Sequence, residues 1–301
     1  LGGIAIFIAC WTATFMFVDI AAMLPVFAIF AGTALLFGIG VLDDVLEISA
    51  GKRLIIQAVA ANVVYMAGFQ LNGLYGLFGL YEIHPVFDYA STVFFVVLMI
   101  NAYNCIDGIN GLAGGLGMLN AIFFGMVFFI LGNIELAVVA LALSGALFGF
   151  LQYNFGKATI FMGDNGSTVV GLLLAVLAMA YLNTPQAIEI TALPAITFSI
   201  VFIPIVDFLK VIVTRMYHKK SPFAADRTHI HHRFLNLGLD HSTICWILYT
   251  VNAVMVAVTT SIAPENGWIT TFTIVSVALS MYLVVKVTNF VVAQQTATKL
   301  K

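Results

Sequence analysis

The chain has 301 residues, 62% of them hydrophobic and 9% charged, with a mean hydropathy of +1.07 and a formal net charge of −2. A soluble domain carries roughly 25% charged and 45–50% apolar residues, so a soluble fold of this size is excluded. What remains is one all-α domain, 1–301, whose solvent is lipid, and the charge gives no sign of a nucleic-acid partner.

Apolar runs long enough to cross a bilayer predict about ten spanning helices, near 4–18, 20–41, 54–71, 86–104, 112–131, 134–152, 168–182, 190–213, 243–263 and 268–290. The first and seventh are short, and Pro25, Pro194 and Pro204 fall inside spans, where neighbouring helices can satisfy the freed backbone groups. The chain starts at Leu1, inside a Gly-Gly-apolar run and with no cleavable signal pattern, so a preceding segment is expected. Cys10, Cys105 and Cys245 lack metal-ligand spacing and read as reduced packing residues.

Threaded alternately through a membrane, these helices put the connections 42–53, 105–111, 153–167, 214–242 and the tail after 290 on one face. All twelve Lys and Arg fall on or near that face, whereas the other holds acids such as Glu82, Glu135, Glu189 and Glu265. By the positive-inside rule the basic face is cytoplasmic.

Four polar clusters share that face. Gly-Val-Leu-Asp43-Asp44 ends the second helix, where two carboxylates meet the negative end of the helix dipole. A metal ion, or Lys52 and Arg53 just downstream, would offset them; a solvated acidic helix end is the plain alternative. In Asn101-Ala-Tyr-Asn104-Cys-Ile-Asp107-Gly-Ile-Asn110-Gly-Leu, the spacing i, i+3, i+6 puts Asn101, Asn104 and Asp107 within about 120° on one helix. Polar groups at the end of an apolar span face a cavity or a ligand unless they only cap a turn. Phe161-Met-Gly163-Asp164-Asn-Gly166-Ser167-Thr168 leads into the seventh helix, with Ser167 or Thr168 as its N-cap. Glycines there suit phosphate and Asp164 suits magnesium, although an ordinary capped turn would look alike. Ser221-Pro-Phe-Ala-Ala-Asp226-Arg227-Thr-His229-Ile-His231-His232-Arg233 sets three histidines beside two arginines. Zinc, an anion or a plain basic loop would each fit, and the arginines favour the anion. Asp207, three residues before Lys210, reads as an internal ion pair.

These four stretches, Gly40–Asp44, Asn101–Leu112, Phe161–Ser167 and Asp226–His232, resemble in order and spacing the motifs of the polyprenyl-phosphate N-acetylhexosamine-1-phosphate transferases. The His229-Ile-His231-His232 form is similar to the branch using UDP-N-acetylglucosamine or a related UDP-N-acetylhexosamine, rather than the translocase acting on UDP-muramoyl-pentapeptide. The resemblance implies transfer of a sugar-1-phosphate to undecaprenyl phosphate with release of UMP, initiating cell-envelope polysaccharide synthesis at the inner (cytoplasmic) membrane. It implies magnesium, or manganese in its place, held by Asp164 and Asn104. Asp43, Asp44, Asp107, Asp164 and His231 form the implied catalytic set, with Asp43 or Asp44 as the family's candidate base. Phe161 would stack on uracil, and Asp107 with Asn110 would lie in the nucleoside pocket. Arg53, Arg227, His229 and His232 would contact pyrophosphate and sugar. Asn110 stands where many relatives have a second aspartate. The family also implies a further helix and a basic, proline-containing motif ahead of Leu1-Gly2-Gly3.

A phosphate monoester has its second pKa near 6 and is largely a dianion at pH 7, so Asp43 and Asp44 are expected to position groups more than to abstract a proton. A muramoyl-pentapeptide translocase, a transporter and a non-catalytic lipid-phosphate binder are the competing readings. A homodimer is left open by apolar helix faces that suit lipid or a second subunit alike.

Overall fold

A computed structural model describes residues 1–19, 23–46, 48–73, 75, 81–184, 193–217, 219 and 229–262, without the side chains of residues 44 and 45. These residues form a polytopic, all-helical membrane protein. Its helices are α1 (Gly2–Phe17), α2 (Met23–Leu46), α3 (Ala50–Met66), α4 (Pro85–Ile106), α5 (Leu112–Ile130) and α6 (Ile134–Asn154), followed by α7 (Gly163–Leu182), α8 (Leu193–Ile200), α9 (Phe202–Tyr217), α10 (Ile230–Asn236) and α11 (His241–Ile262).

The expected count of about ten spans is not matched. Among the described residues six helices are long and apolar enough to cross a membrane, or seven if the bent pair α8 and α9 is one span. The 16 residues of α1 and 17 of α3 rise about 24 and 26 Å, short of a ~30 Å hydrocarbon layer. The stretch 190–213 is bent by 78° between α8 and α9. Pro204 explains the break, because its ring displaces the carbonyl of Ile200 and it has no N–H to bond there. The expected helix at 268–290 lies outside the described residues.

Helix α7 is the hub. It packs against α1, α2, α4, α5, α6 and α8, and 89% of its apolar window is buried, against 33% for α2 and α11. Glycines let the backbones approach. A Cβ on Gly171 of α7 would lie 2.7 Å from the Cα of Ile100 on α4, and one on Gly40 of α2 would lie 2.5 Å from the Cα of Asn165. Backbone cannot yield as a side chain can, so Gly171→Ala is expected to cost about 1–3 kcal/mol. A thermal-unfolding scan in detergent should show the apparent Tm falling by several degrees; an unchanged Tm would mean that the α4–α7 crossing is looser than this.

Polar side chains join spans inside the apolar core. Asn120 of α5 donates to the Tyr103 hydroxyl of α4 at 2.7 Å, and Asn252 of α11 donates to Asn120 at 3.0 Å. The three cysteines are free thiols, as read from the sequence.

Candidate active site

The polar ends of α2, α3, α4, α7 and α9 meet around one cavity of about 410 Å³. Its walls carry Asp43, Arg53, Gln57, Asn101, Asn104, Cys105, Asp164, Thr168, Phe208, Arg215 and His229. Four clusters far apart in sequence therefore contribute to one place.

The centre is a junction of charges. One guanidinium nitrogen of Arg53 donates to Asp164 at 2.7 Å and to Asp43 at 3.2 Å. Asp43 also accepts from the N–H of Ile48, which fixes the turn between α2 and α3. Asn104 donates to the other oxygen of Asp164 and to Ser167, both at 2.9 Å. Arg53, not Lys52, is thus the cation bound to Asp43. Gln57, one helical turn after Arg53, exchanges hydrogen bonds with Asn101. Sequence reasoning passed over Gln57, although its i+4 spacing from Arg53 put it on the same face.

Helix α7 starts earlier than expected. It begins at Gly163, so Ser167 and Thr168 are not N-caps; their hydroxyls donate back to the carbonyls of Gly163 and Asp164. The polar first turn, Gly-Asp-Asn-Gly-Ser, looks like a loop in sequence, but it is helix whose side chains face the cavity and α4. The preceding strand of chain is anchored by α1, where the N–H groups of Gly2 and Gly3 donate to the carbonyls of Phe161 and Met162 at 3.0 Å. The Phe161 ring stays 67% exposed.

Asp107 caps the C-terminal end of α4 and accepts from the N–H of Gly163. Burial, with the Asp164 charge adding to it, pushes its carboxyl up to about 7 despite that hydrogen bond. Asn110 sits behind the cavity and braces the loop. Its amide donates to the Gly156 carbonyl at 2.9 Å, its backbone N–H donates to His241, and its carbonyl accepts from Cys245. Gly111 follows with φ +89°, a left-handed turn that directs its N–H to Asn154 and its carbonyl to Tyr249.

The three histidines separate in role. His229 lines the cavity, with Nδ1 2.9 Å from Asp207. Burial opposes its charge, but the Asp207 carboxylate outweighs that and raises it to about 9. His231 is fully buried against Gly108, its ring nitrogens have no hydrogen-bond partner among the described residues, and burial lowers it to about 4. His232 tilts against His231 at 4.3 Å between ring centroids. Asp207 therefore contacts His229, and the charge of Lys210 also acts on it. An apolar helix separated from its partner by a long loop hides such a pairing from sequence. Arg227 and the side chain of Asp44 lie outside the described residues.

Residues 26–182, just over half of the chain, match the family described as glycosyl transferase family 4. A decaprenyl-phosphate N-acetylglucosaminephosphotransferase of Mycobacterium tuberculosis is 31% identical over 277 residues, covering 83% of this chain and 68% of the relative. A Bacillus subtilis protein named "Probable undecaprenyl-phosphate N-acetylglucosaminyl 1-phosphate transferase" is 28% identical over 292 residues, 97% of this chain and 80% of its own. An undecaprenyl-phosphate alpha-N-acetylglucosaminyl 1-phosphate transferase of Escherichia coli K12 is 30% identical over 148 residues, 48% of this chain and 39% of its own. The chain belongs to glycosyl transferase family 4.

In this family-4 transferase the donor atoms at the junction fit a hard divalent cation. Two carboxylates, Asp107 and Asp164, face each other closely enough for one to raise the other, and Asn104 adds an amide beside Asp164. Among the described residues no group of three or more His, Cys, Asp or Glu is arranged to hold a metal unaided. That pattern suits magnesium, which takes one or two carboxylates and completes its shell with phosphate oxygens and water.

The transferase should also show Asp107 in its pH dependence. The folded-state pKa stands above the unfolded one, so the stability associated with the neutral carboxyl is complete below about pH 4 and is lost as pH rises through 7. Without divalent cation, the Tm of the wild type should fall between pH 5 and 8, and Asp107→Asn should flatten that fall. Parallel curves for the two proteins would exclude Asp107 as the source.

Proposed function

We propose that this chain transfers N-acetylglucosamine-1-phosphate from UDP-N-acetylglucosamine to a polyprenyl phosphate, undecaprenyl phosphate first among them, with release of UMP. The junction of Arg53, Asp164 and Asn104 at the mouth of one cavity, in a chain with relatives so named, carries this reading. Arg53 and Arg215 line the cavity at the ends of apolar helices, which by the positive-inside rule supports a cytoplasmic active site in the inner membrane.

In this reading a phosphate oxygen of the lipid attacks the sugar-bearing phosphorus of the donor. The bond to the bridging oxygen breaks, and UMP leaves. The attacking group is already anionic at pH 7, so the demand on the protein is alignment and neutralisation of spreading charge. Asp43, held by Arg53 and the Ile48 N–H, supports positioning rather than base catalysis. Arg53 and His229 supply positive charge to the cavity they both line, with Arg227 and His232 as further contacts of the pyrophosphate and sugar. The exposed Phe161 ring offers a face for uracil. Asp164 and Asn104 would hold magnesium, which when bound neutralises and orients the phosphate oxygens.

Purified protein in detergent, given undecaprenyl phosphate and magnesium, should release UMP from UDP-N-acetylglucosamine faster than from other UDP-N-acetylhexosamines or UDP-muramoyl-pentapeptide. Release should cease without lipid or with chelator. Folded protein that releases UMP from none of these donors would overturn the proposal, and a preference for the pentapeptide donor would reassign the substrate.

A further inference from the structure

Asp207 lies in the first half of α9 with 1% of its surface exposed, and both carboxylate oxygens are in use. Oδ2 is 2.9 Å from Nδ1 of His229, and Oδ1 accepts from the N–H of Ile230, the first residue of α10, at 2.8 Å. Asp207 itself is absent from the cavity wall, whereas His229 is part of it, facing Asn104, Asp164 and Arg53. A buried carboxylate is costly beside lipid unless it is well paired. Here its pairing determines how one ring meets the cavity. With Nδ1 turned to Asp207 and Cys105 of α4 the other side chain within hydrogen-bonding reach of the ring, Nε2 is the nitrogen that can meet a ligand in the cavity. A neutral ring donating through Nδ1 would offer a bare lone pair there and repel an anion; a protonated ring offers an N–H.

We propose that Asp207 is a positioning residue that holds His229 as an imidazolium and aims its Nε2–H at the diphosphate of the donor. This rests on reading the cavity as the donor site, and it adds a residue outside the four sequence clusters.

Among the described residues the titratable and charged groups around His229 are Asp207 and Arg215 of α9, Cys105 of α4, His231 and His232 of α10 and, across the shared cavity, Asp43 of α2, Arg53 of α3 and Asp164 of α7, while Lys210 acts on Asp207. Burial opposes a charged ring, and the Asp207 carboxylate in direct contact, with Cys105 acting in the same direction, outweighs it. His231 is the internal comparison. Two residues further on and stacked on His229, it has no carboxylate contact among the described residues, and burial lowers it.

Asp207→Asn separates this role from simple fastening. The amide can keep both contacts, its oxygen accepting from Ile230 and its NH2 donating to Nδ1, so the fold is preserved while the charge is lost. The ring then becomes neutral but keeps its Nε2–H, because Nδ1 accepts from the amide, so the variant removes the charge and not the donor. At pH 7.5 the KM for UDP-N-acetylglucosamine should rise about tenfold, the scale of one charge-assisted hydrogen bond, with kcat changed much less. His229→Ala should do the same, and adding Asp207→Asn to it should cost nothing more, because the carboxylate acts through that ring. Histidine-selective 15N NMR of the same preparations should show both His229 nitrogens protonated at pH 7.5 in wild type and one in Asp207→Asn. A wild-type KM in Asp207→Asn, an equal added loss in the His229→Ala background, or a neutral wild-type ring would overturn the proposal. A wild type that releases no UMP would defeat the transfer reading instead, and the ring spectrum would still decide the role of Asp207.

Discussion

Alanine at Asp164 should lower lipid-dependent UMP release by about 10²–10³-fold, the scale of losing one preorganised electrostatic group. Three interactions end together in that substitution: the 2.7 Å bond from Arg53, the 2.9 Å bond from Asn104 and the oxygen proposed for magnesium. The neighbouring fold should survive, because α7 is held by packing along its whole length. Asp164→Asn is the sharper version, since it keeps the shape and one acceptor oxygen while removing charge. A steady-state assay at saturating magnesium, with gel filtration to show folded protein, settles the matter. Retention of more than a tenth of wild-type activity in both variants would remove Asp164 from the catalytic centre.

Arg53→Ala should be the next most damaging change, lowering activity by about 10²-fold, and its second effect is on stability. Without the guanidinium, Asp43 and Asp164 keep their negative charges with no cation between them. Like charges at that distance repel, and the half-exposed setting of Arg53 and Asp164 moderates the penalty without abolishing it. The variant's Tm should therefore fall more in chelator than in millimolar magnesium, whereas the wild type should respond less. Equal shifts in both media would show that cation and guanidinium do not share the site.

The contrast between α4–α6 and α7–α10 shows what the amino-acid order reveals. The expected 86–104, 112–131 and 134–152 became α4, α5 and α6, with ends differing by two residues or fewer. In those segments length and apolarity are the whole signal, and lipid enforces both. Helix α7 was cut short because its first turn is polar, and a polar turn over a cavity has the composition of a loop. The break before α9 depends on where a proline ring meets a carbonyl, and the seven-residue α10 is too short to have a pattern. The candidate site divides in the same way. Asp43, Asn104, Asp164 and His229 were legible because charged and amide groups are rare at the end of an apolar span. Arg53 beside Asp43 and Asn104 beside Asp164 were legible too, but the bonds from Arg53 to Asp164 and between His229 and Asp207 were not, because contacts so distant along the chain leave no mark on local sequence. Asn110 is the instructive case: an amide in a motif of ligand-binding residues, whose side chain here bonds to the loop behind the cavity.

The central position of α7 has a consequence for biogenesis. Translation delivers α1 to α6 before the helix against which α1, α2, α4, α5 and α6 all pack. Until residues 163–182 leave the ribosome, Gly40 of α2 and the α4 backbone at Ile100, which later meet Asn165 and Gly171, have no protein to close upon. The guanidinium of Arg53 likewise waits for a carboxylate 111 positions downstream. Such an order leaves a half-made bundle with an open central slot. Insertion of the seventh helix is then the committing step of assembly, and a ribosome stalled before it leaves a chain exposed to membrane quality-control proteases.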